Sequence, residues 1–181
     1  MDMYKLKFTI LQNEIFRLLC ARAGTSLNQR EIARLLCVSP TAVSKSLAGL
    51  EKEGLAKVER SKTMNLSSVR FNRDSPRAIA LKRVENLRLV YESGLADFLE
   101  QKFPGCATIL FGSYSLGEDT EKSDIDIAVI GSGGKQTDLT QYEKLLERSI
   151  NLQFYEDIRK IDRNLRSNVL RGITLSGVAE T

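Results

Sequence analysis

Two aspartates separated by one apolar residue, Asp124-Ile125-Asp126, begin a run that continues through Ile127, Ala128, Val129 and Ile130. In an extended strand successive side chains alternate faces, so Asp124 and Asp126 emerge together, about 6 to 7 Å apart. Carboxylates held that close repel each other unless a cation lies between them. Such a pair is a hard-oxygen ligand set suited to Mg²⁺, which keeps phosphate oxygens as further ligands. Upstream, the apolar stretch Cys106 to Phe111 runs directly into Gly112-Ser113. A glycine lets backbone approach closely, and the serine hydroxyl with neighbouring N–H groups can hold a phosphate. Together these residues describe a site for a divalent cation and a polyphosphate.

The elements that must position them are a strand ending at Phe111, a turn at Gly112-Ser113, and a second strand opening on the aspartates within YSLGEDTEKSDIDIAVIG. A strand, Gly-Ser, a short helix and then Asp-x-Asp on the next strand resembles the nucleotidyltransferases of the DNA polymerase β superfamily, over about residues 104–176. The resemblance implies that Gly112 and Ser113 contact the phosphates of a nucleoside triphosphate. It implies that Asp124 and Asp126 bind Mg²⁺ and act as the catalytic carboxylates. It also calls for a third carboxylate on the strand after the next helix, which deprotonates the attacking hydroxyl. Here helix Tyr142–Arg148 leads to Ser149–Tyr155, and the aligned position is Asn151. An amide oxygen ligates a metal weakly and cannot accept a proton as a general base. Shifting the alignment by two gives Ser149 or Gln153, and neither is a base. Glu147, Glu156 and Asp157 flank the strand as substitutes.

The first half carries a different pattern. Ile10, Leu11, Ile15, Leu18 and Leu19 recur at helical spacing, and Gly24 follows as a stop. Asn28 caps a short helix with Ile32, Leu35 and Leu36. Ser39 caps the next, with Pro40 at its first position. In that helix Val43, Leu47 and Leu50 form a buried stripe, leaving Thr41, Ser44, Lys45 and Ala48 on the other side. Small polar residues and one lysine suit insertion into a DNA major groove. After Gly54, LAKVERSKTMNLSSVRFN alternates in two runs, which predicts a β-hairpin bearing Lys57, Arg60, Lys62, Arg70 and Arg73. Cations on a hairpin beside the groove neutralise phosphates. The phrase EIARLLCVSPTAVSKSLAGLEKEGL resembles the winged-helix regulators of archaea and bacteria, over about residues 8–73. That likeness implies double-stranded DNA as a partner, read through Thr41, Ser44, Lys45, Arg60 and Lys62.

Between the halves, Ser75-Pro76 opens a helical pattern running to about Lys102, ended by Pro104-Gly105. Its apolar positions cover two faces. One serves the second domain, the other the winged helix or a second subunit, and a homodimer would suit paired half-sites. The tail from Asp157 to Leu170 reads as an amphipathic helix, with Arg159, Lys160, Arg163 and Arg166 on its solvated side. Gly172 to Leu175 reads as a closing strand.

Composition sets the outer bounds. Residues 1–76 hold 13 Lys and Arg against 7 Asp and Glu, and the remainder 14 against 16, so a polyanion partner belongs to the first half. With no histidine in the chain, His-based acid–base catalysis and His metal sites are excluded. Cys20, Cys37 and Cys106 lack metal-ligand spacing; an odd, scattered set without a secretion signal points to a reducing, cytoplasmic setting. No window resembles a membrane span.

The expected architecture is α+β: a winged helix over 1–75, a connecting helix over 76–103, and a polymerase β-like nucleotidyltransferase domain with a small mixed sheet over 104–181. Two functions follow. One is a Mg²⁺-dependent enzyme that moves a nucleotidyl group from a nucleoside triphosphate to a hydroxyl. The other is a DNA-binding regulator, or an antitoxin-like protein with a toxin-like partner, whose transferase domain is degenerate at Asn151.

Overall fold

The computed structural model describes residues 8–60 and 67–179. The chain divides into two compact units, residues 1–82 and 83–181.

In the first unit α1 (Ile10–Ala21) starts at Thr9, whose hydroxyl accepts the Gln12 N–H while the Gln12 side chain accepts the Thr9 N–H. A reciprocal cap of this kind satisfies donors that every helix start leaves open. After β1 (Leu27–Asn28), Asn28 and Glu31 repeat the device for α2 (Gln29–Leu35). α3 (Pro40–Lys52) begins at Ser39, whose hydroxyl accepts the Ala42 N–H, and Pro40 takes the first helical position. β2 (Ala56–Arg60) and β3 (Ser67–Phe71) pair antiparallel from Ala56↔Phe71 to Arg60↔Ser67, and β1 lies on the other edge of β3. Three helices and a hairpin in a β1-β3-β2 sheet make a winged helix. Its core is drawn from the three helices and β3: Ile15, Leu19, Ile32, Val43, Leu47, Leu50 and Val69 are at most 2% exposed.

The single helix expected from Pro76 to Lys102 is broken. α4 (Pro76–Glu92) ends, Gly94 adopts φ 77°, and α5 (Leu95–Lys102) follows. A left-handed residue cannot continue an α-helix, and glycine takes that conformation without a Cβ clash. The apolar pattern reads across the break because Val90, Leu95 and Leu99 all enter the same core.

The second unit is built on a four-stranded sheet. Its strands are β4 (Ala107–Phe111), β5 (Ile125–Ile130), β6 (Ile150–Tyr155) and β7 (Ile173–Ser176), ordered β6-β5-β4-β7. β4 pairs antiparallel with β5 and β7, whereas β5 and β6 are parallel and joined through α7 (Thr140–Leu146). α6 (Gly112–Leu116) follows β4 directly, and α8 (Arg163–Leu170) precedes β7. Alternation sends Leu110, Ile125, Ile127 and Val129 into a core with α5 and α7. On the other face Ile109, Phe111, Ala128 and Ile130 meet Ile158, Ile161 and Val169. The expected tail helix from Asp157 is a 3₁₀ turn (Ile158–Lys160) and then α8, split at Ile161. Asp157 and Asp162 each cap the segment that follows, a local preference that competes with helix continuation. Among the described residues no helix is long and apolar enough to cross a membrane.

Candidate active site

Strand register assembles the site. Phe111 stands opposite Asp126 on the antiparallel pair, and Asp126 stands opposite Asn151 on the parallel pair. The end of β4 and the starts of β5 and β6 therefore meet at one edge of the sheet. Chain direction turns there at Gly112, which has φ 71°, a conformation glycine adopts without strain. A Cβ at Gly112 would lie 2.7 Å from Asp126 Oδ2, so the turn and the carboxylate are in direct apposition. On its other side Asp126 Oδ1 accepts a hydrogen bond from Asn151 Nδ2 at 3.1 Å. Asp126 is half-buried, and Asp124 is exposed immediately before β5. Ser113 follows the turn, half-buried, and its hydroxyl has no hydrogen-bond partner among the described residues.

Among the described residues no three His, Cys, Asp or Glu side chains gather as a metal site. The two aspartates and Asn151 are a set of oxygen donors, and Mg²⁺ is often held by one or two carboxylates with water and phosphate completing its shell. Glu156 and Asp157 do not supply a third. They lie past the far end of β6, more than about 13 Å along the strand from Asn151. Both are ion-paired, with Lys160 and Arg159 respectively. The hydrogen bond from Arg159 holds the Asp157 carboxyl down at about 2, and that from Lys160 lowers Glu156; carboxylates so stabilised are weak bases. Glu147 is exposed at the end of α7, with φ 51°.

A buried bond pins the segment between the turn and the aspartates. Asn86 Nδ2 donates to the Tyr114 carbonyl at 2.8 Å and to Asp119 Oδ1 at 2.7 Å. Burial foremost, and then the Asp119 charge, push the Tyr114 hydroxyl above its usual range. Thr120 and Ser123 close a turn, with the Thr120 N–H donating to Ser123 Oγ at 3.0 Å, and Asp124 follows it.

In the winged helix, Val43, Leu47 and Leu50 of α3 are buried while Thr41, Ser44, Lys45 and Ala48 are exposed. Lys45 makes no ion pair among the described residues. Arg60 ends β2, and Lys62 lies outside the described residues. Two other hairpin cations are engaged: Lys57 pairs with Asp74 and Arg70 with Glu59. Lys57 and Arg70 stand directly opposite each other, an unfavourable pairing for like charges, and the hydrogen bond from Lys57 lowers the Asp74 carboxyl. The cleft of about 400 Å³ at this place is lined by Lys57, Arg70, Arg73 and Asp74 among others, three cations with one carboxylate.

Residues 92–173 match a family model described as a nucleotidyltransferase domain. The match falls wholly within the second unit. No curated protein matches the chain. Solved structures that resemble part of it include a cysteine variant of Lactococcus lactis ZitR, 22% identical with a TM-score of 0.41, covering 57% of this chain and 67% of that one. Adhesin competence repressor AdcR from Streptococcus pyogenes is 19% identical with a TM-score of 0.42, over 56% of this chain and 71% of its own. MepR of S. aureus, in a DNA complex, is 17% identical with a TM-score of 0.38, over 52% and 77%.

Around this site the sequence pattern passes over four residues. Asn86 reads as an ordinary polar position in a helix, and Asp119 as one charge in the loop GEDTEK, yet both are buried. Asn168 and Arg171 line a small cleft with Gly112, although they are remote from it in sequence. No local signal marks them, because their placement depends on α8 packing against β4.

Proposed function

We propose that the chain is a DNA-binding protein whose nucleotidyltransferase domain binds a Mg²⁺–nucleoside triphosphate through Gly112, Ser113, Asp124 and Asp126. The observation that carries this is the contact distance of 2.7 Å between a Cβ at Gly112 and Asp126 Oδ2: only a glycine lets the turn lie so close to that carboxylate. Asp124 and Asp126 would hold the ion, which neutralises phosphate charge and orients the phosphoryl oxygens for displacement. Ser113 Oγ donates to a phosphate oxygen, and Gly112 allows the backbone to come alongside. Asn151 holds Asp126 by its Oδ1 and leaves Oδ2 directed at the turn. It takes no proton, so an attacking hydroxyl loses its proton without help from that position.

This departure favours a second reading, in which the domain senses nucleotide or docks a partner protein of toxin-like kind without transferring anything. Transfer of label from an α-labelled triphosphate in Mg²⁺, abolished in Asp126→Ala, is the outcome expected of the enzyme. Binding lost in Asp126→Ala with no transfer by the parent chain supports the sensor. Absence of any Mg²⁺-dependent nucleotide binding refutes the enzyme and the nucleotide sensor alike.

DNA is assigned to Thr41, Ser44, Lys45, Arg60 and Lys62. With Lys45 on a phosphate, Lys45→Ala weakens binding evenly across sequences and lowers the slope of log K against log salt by about one. A slope equal to that of the parent would remove Lys45 from the interface.

A further inference from the structure

The site described so far contains carboxylates and no cation of its own. A triphosphate carries about four negative charges at neutral pH, and Mg²⁺ with two carboxylates cancels none of that net, so a positive side chain is needed nearby. Packing indicates which one. Asp126 shares its sheet face with Ala128 and Ile130, because side chains alternate along β5, and that face is covered by Ile158, Ile161 and Val169. Val169 of α8 is fully buried there, so α8 lies over the face that presents Asp126. The chain then leaves α8 through Gly172, where a Cβ would lie 2.4 Å from the Leu110 carbonyl oxygen and 2.8 Å from Ile109 Cγ2. Gly172 is therefore pressed onto β4, and the next residue, Ile173, pairs with Leu110. Leu110 is two residues before Gly112. The residue ahead of Gly172 is consequently fixed beside the Gly112 turn by backbone contact.

That residue is Arg171. With Asn168, one helical turn back, it lines a cleft of about 40 Å³ whose other walls are Gly112, Ser115 and Leu116. Of these only Arg171 is charged, and it makes no ion pair among the described residues. A space of this size has room for a water-sized group such as a phosphate oxygen. We propose that Arg171, supported by the Asn168 amide, grips the outer phosphates of the bound triphosphate at the Gly112 turn and so selects triphosphate over monophosphate. A guanidinium suits this because its fork meets two phosphate oxygens at once. The inference rests on the nucleotide-binding reading above.

The test uses the full chain and inorganic tripolyphosphate with Mg²⁺, a probe that needs no knowledge of the base. Calorimetric titration of the parent gives Mg²⁺-dependent binding that is lost in Asp126→Ala. Arg171→Gln weakens tripolyphosphate binding by about 10- to 100-fold, the value of a charge-assisted hydrogen-bond pair, while leaving the weaker affinity for AMP unchanged. Arg171→Lys recovers only part of the loss, and Arg163→Gln on the same helix changes nothing. Equal tripolyphosphate affinity in Arg171→Gln and the parent, with binding still dependent on Asp126, overturns this proposal and leaves the nucleotide site standing. An equal loss for tripolyphosphate and AMP also overturns it, since that marks a general structural role. Failure of the parent to bind tripolyphosphate at all overturns the nucleotide site itself.

Discussion

Replacing Asn151 by aspartate tests the geometry of the sheet edge directly. The Asn151 amide now donates to Asp126 Oδ1 at 3.1 Å. Asn151→Asp turns that contact into two carboxylates facing each other at nearly the same separation, with no proton between them. Two unit charges about 4 Å apart cost about 1 kcal/mol in water and about 4 kcal/mol at the effective dielectric of a protein surface. Asp126 is half-buried and Asn151 exposed, so the cost falls between those limits. For a unit the size of residues 83–181, each kcal/mol moves the melting temperature by about 4–8 °C. In EDTA at pH 7.5 the variant therefore melts at least about 4 °C below the parent. Millimolar Mg²⁺ closes the gap, because an ion that binds only the folded state stabilises it by mass action. The Mg²⁺-dependent rise is larger in the variant than in the parent, and label transfer from an α-labelled triphosphate increases. Identical melting of the two proteins in EDTA, or equal Mg²⁺ shifts, would refute the claim that Asn151 and Asp126 border one metal position.

Two further outcomes are expected. Gly112→Ala places a methyl group against Asp126 at a backbone conformation that costs an L-residue about 1–2 kcal/mol; it lowers stability by at least that amount in urea melts and abolishes Mg²⁺-dependent nucleotide binding, whereas retained binding would show that the turn is not at the phosphates. Asn86→Ala removes both buried bonds to Tyr114 and Asp119 and destabilises by about 1–3 kcal/mol, which chemical denaturation measures; a change below about 0.5 kcal/mol would mean the bond does not hold the loop.

Much of this protein is legible in its sequence because local chemistry decides it. Asn28, Ser39 and Pro40 announce helix starts that the structure reproduces with capping hydrogen bonds. The stripe Val43, Leu47 and Leu50 is buried as its spacing requires. The apolar run before Gly112 and the Asp-x-Asp after it become adjacent strands, and the polar set Gly112, Asp126 and Asn151 is brought to one edge. What escapes the sequence depends on φ at one residue or on distant packing. Gly94 breaks a helix whose apolar period continues undisturbed. Ile161 interrupts the tail by taking extended backbone, with φ −77° and ψ 140°, between the capping residues Asp157 and Asp162. Asp119 and Arg171 look like other loop and helix charges until burial of one and the position of Gly172 beside the other set them apart.

The paired cations at the wing base have a consequence for measuring affinity. Lys57 and Arg70 already hold carboxylate partners, so their charge is compensated before any polyanion arrives. A side chain in that condition displaces few condensed ions from a duplex, and the salt dependence of association reports displaced ions rather than the number of basic residues. The observed slope should therefore fall short of what the 13 lysines and arginines of residues 1–76 would suggest. Replacing Asp74 by asparagine and Glu59 by glutamine would release those two cations and steepen it.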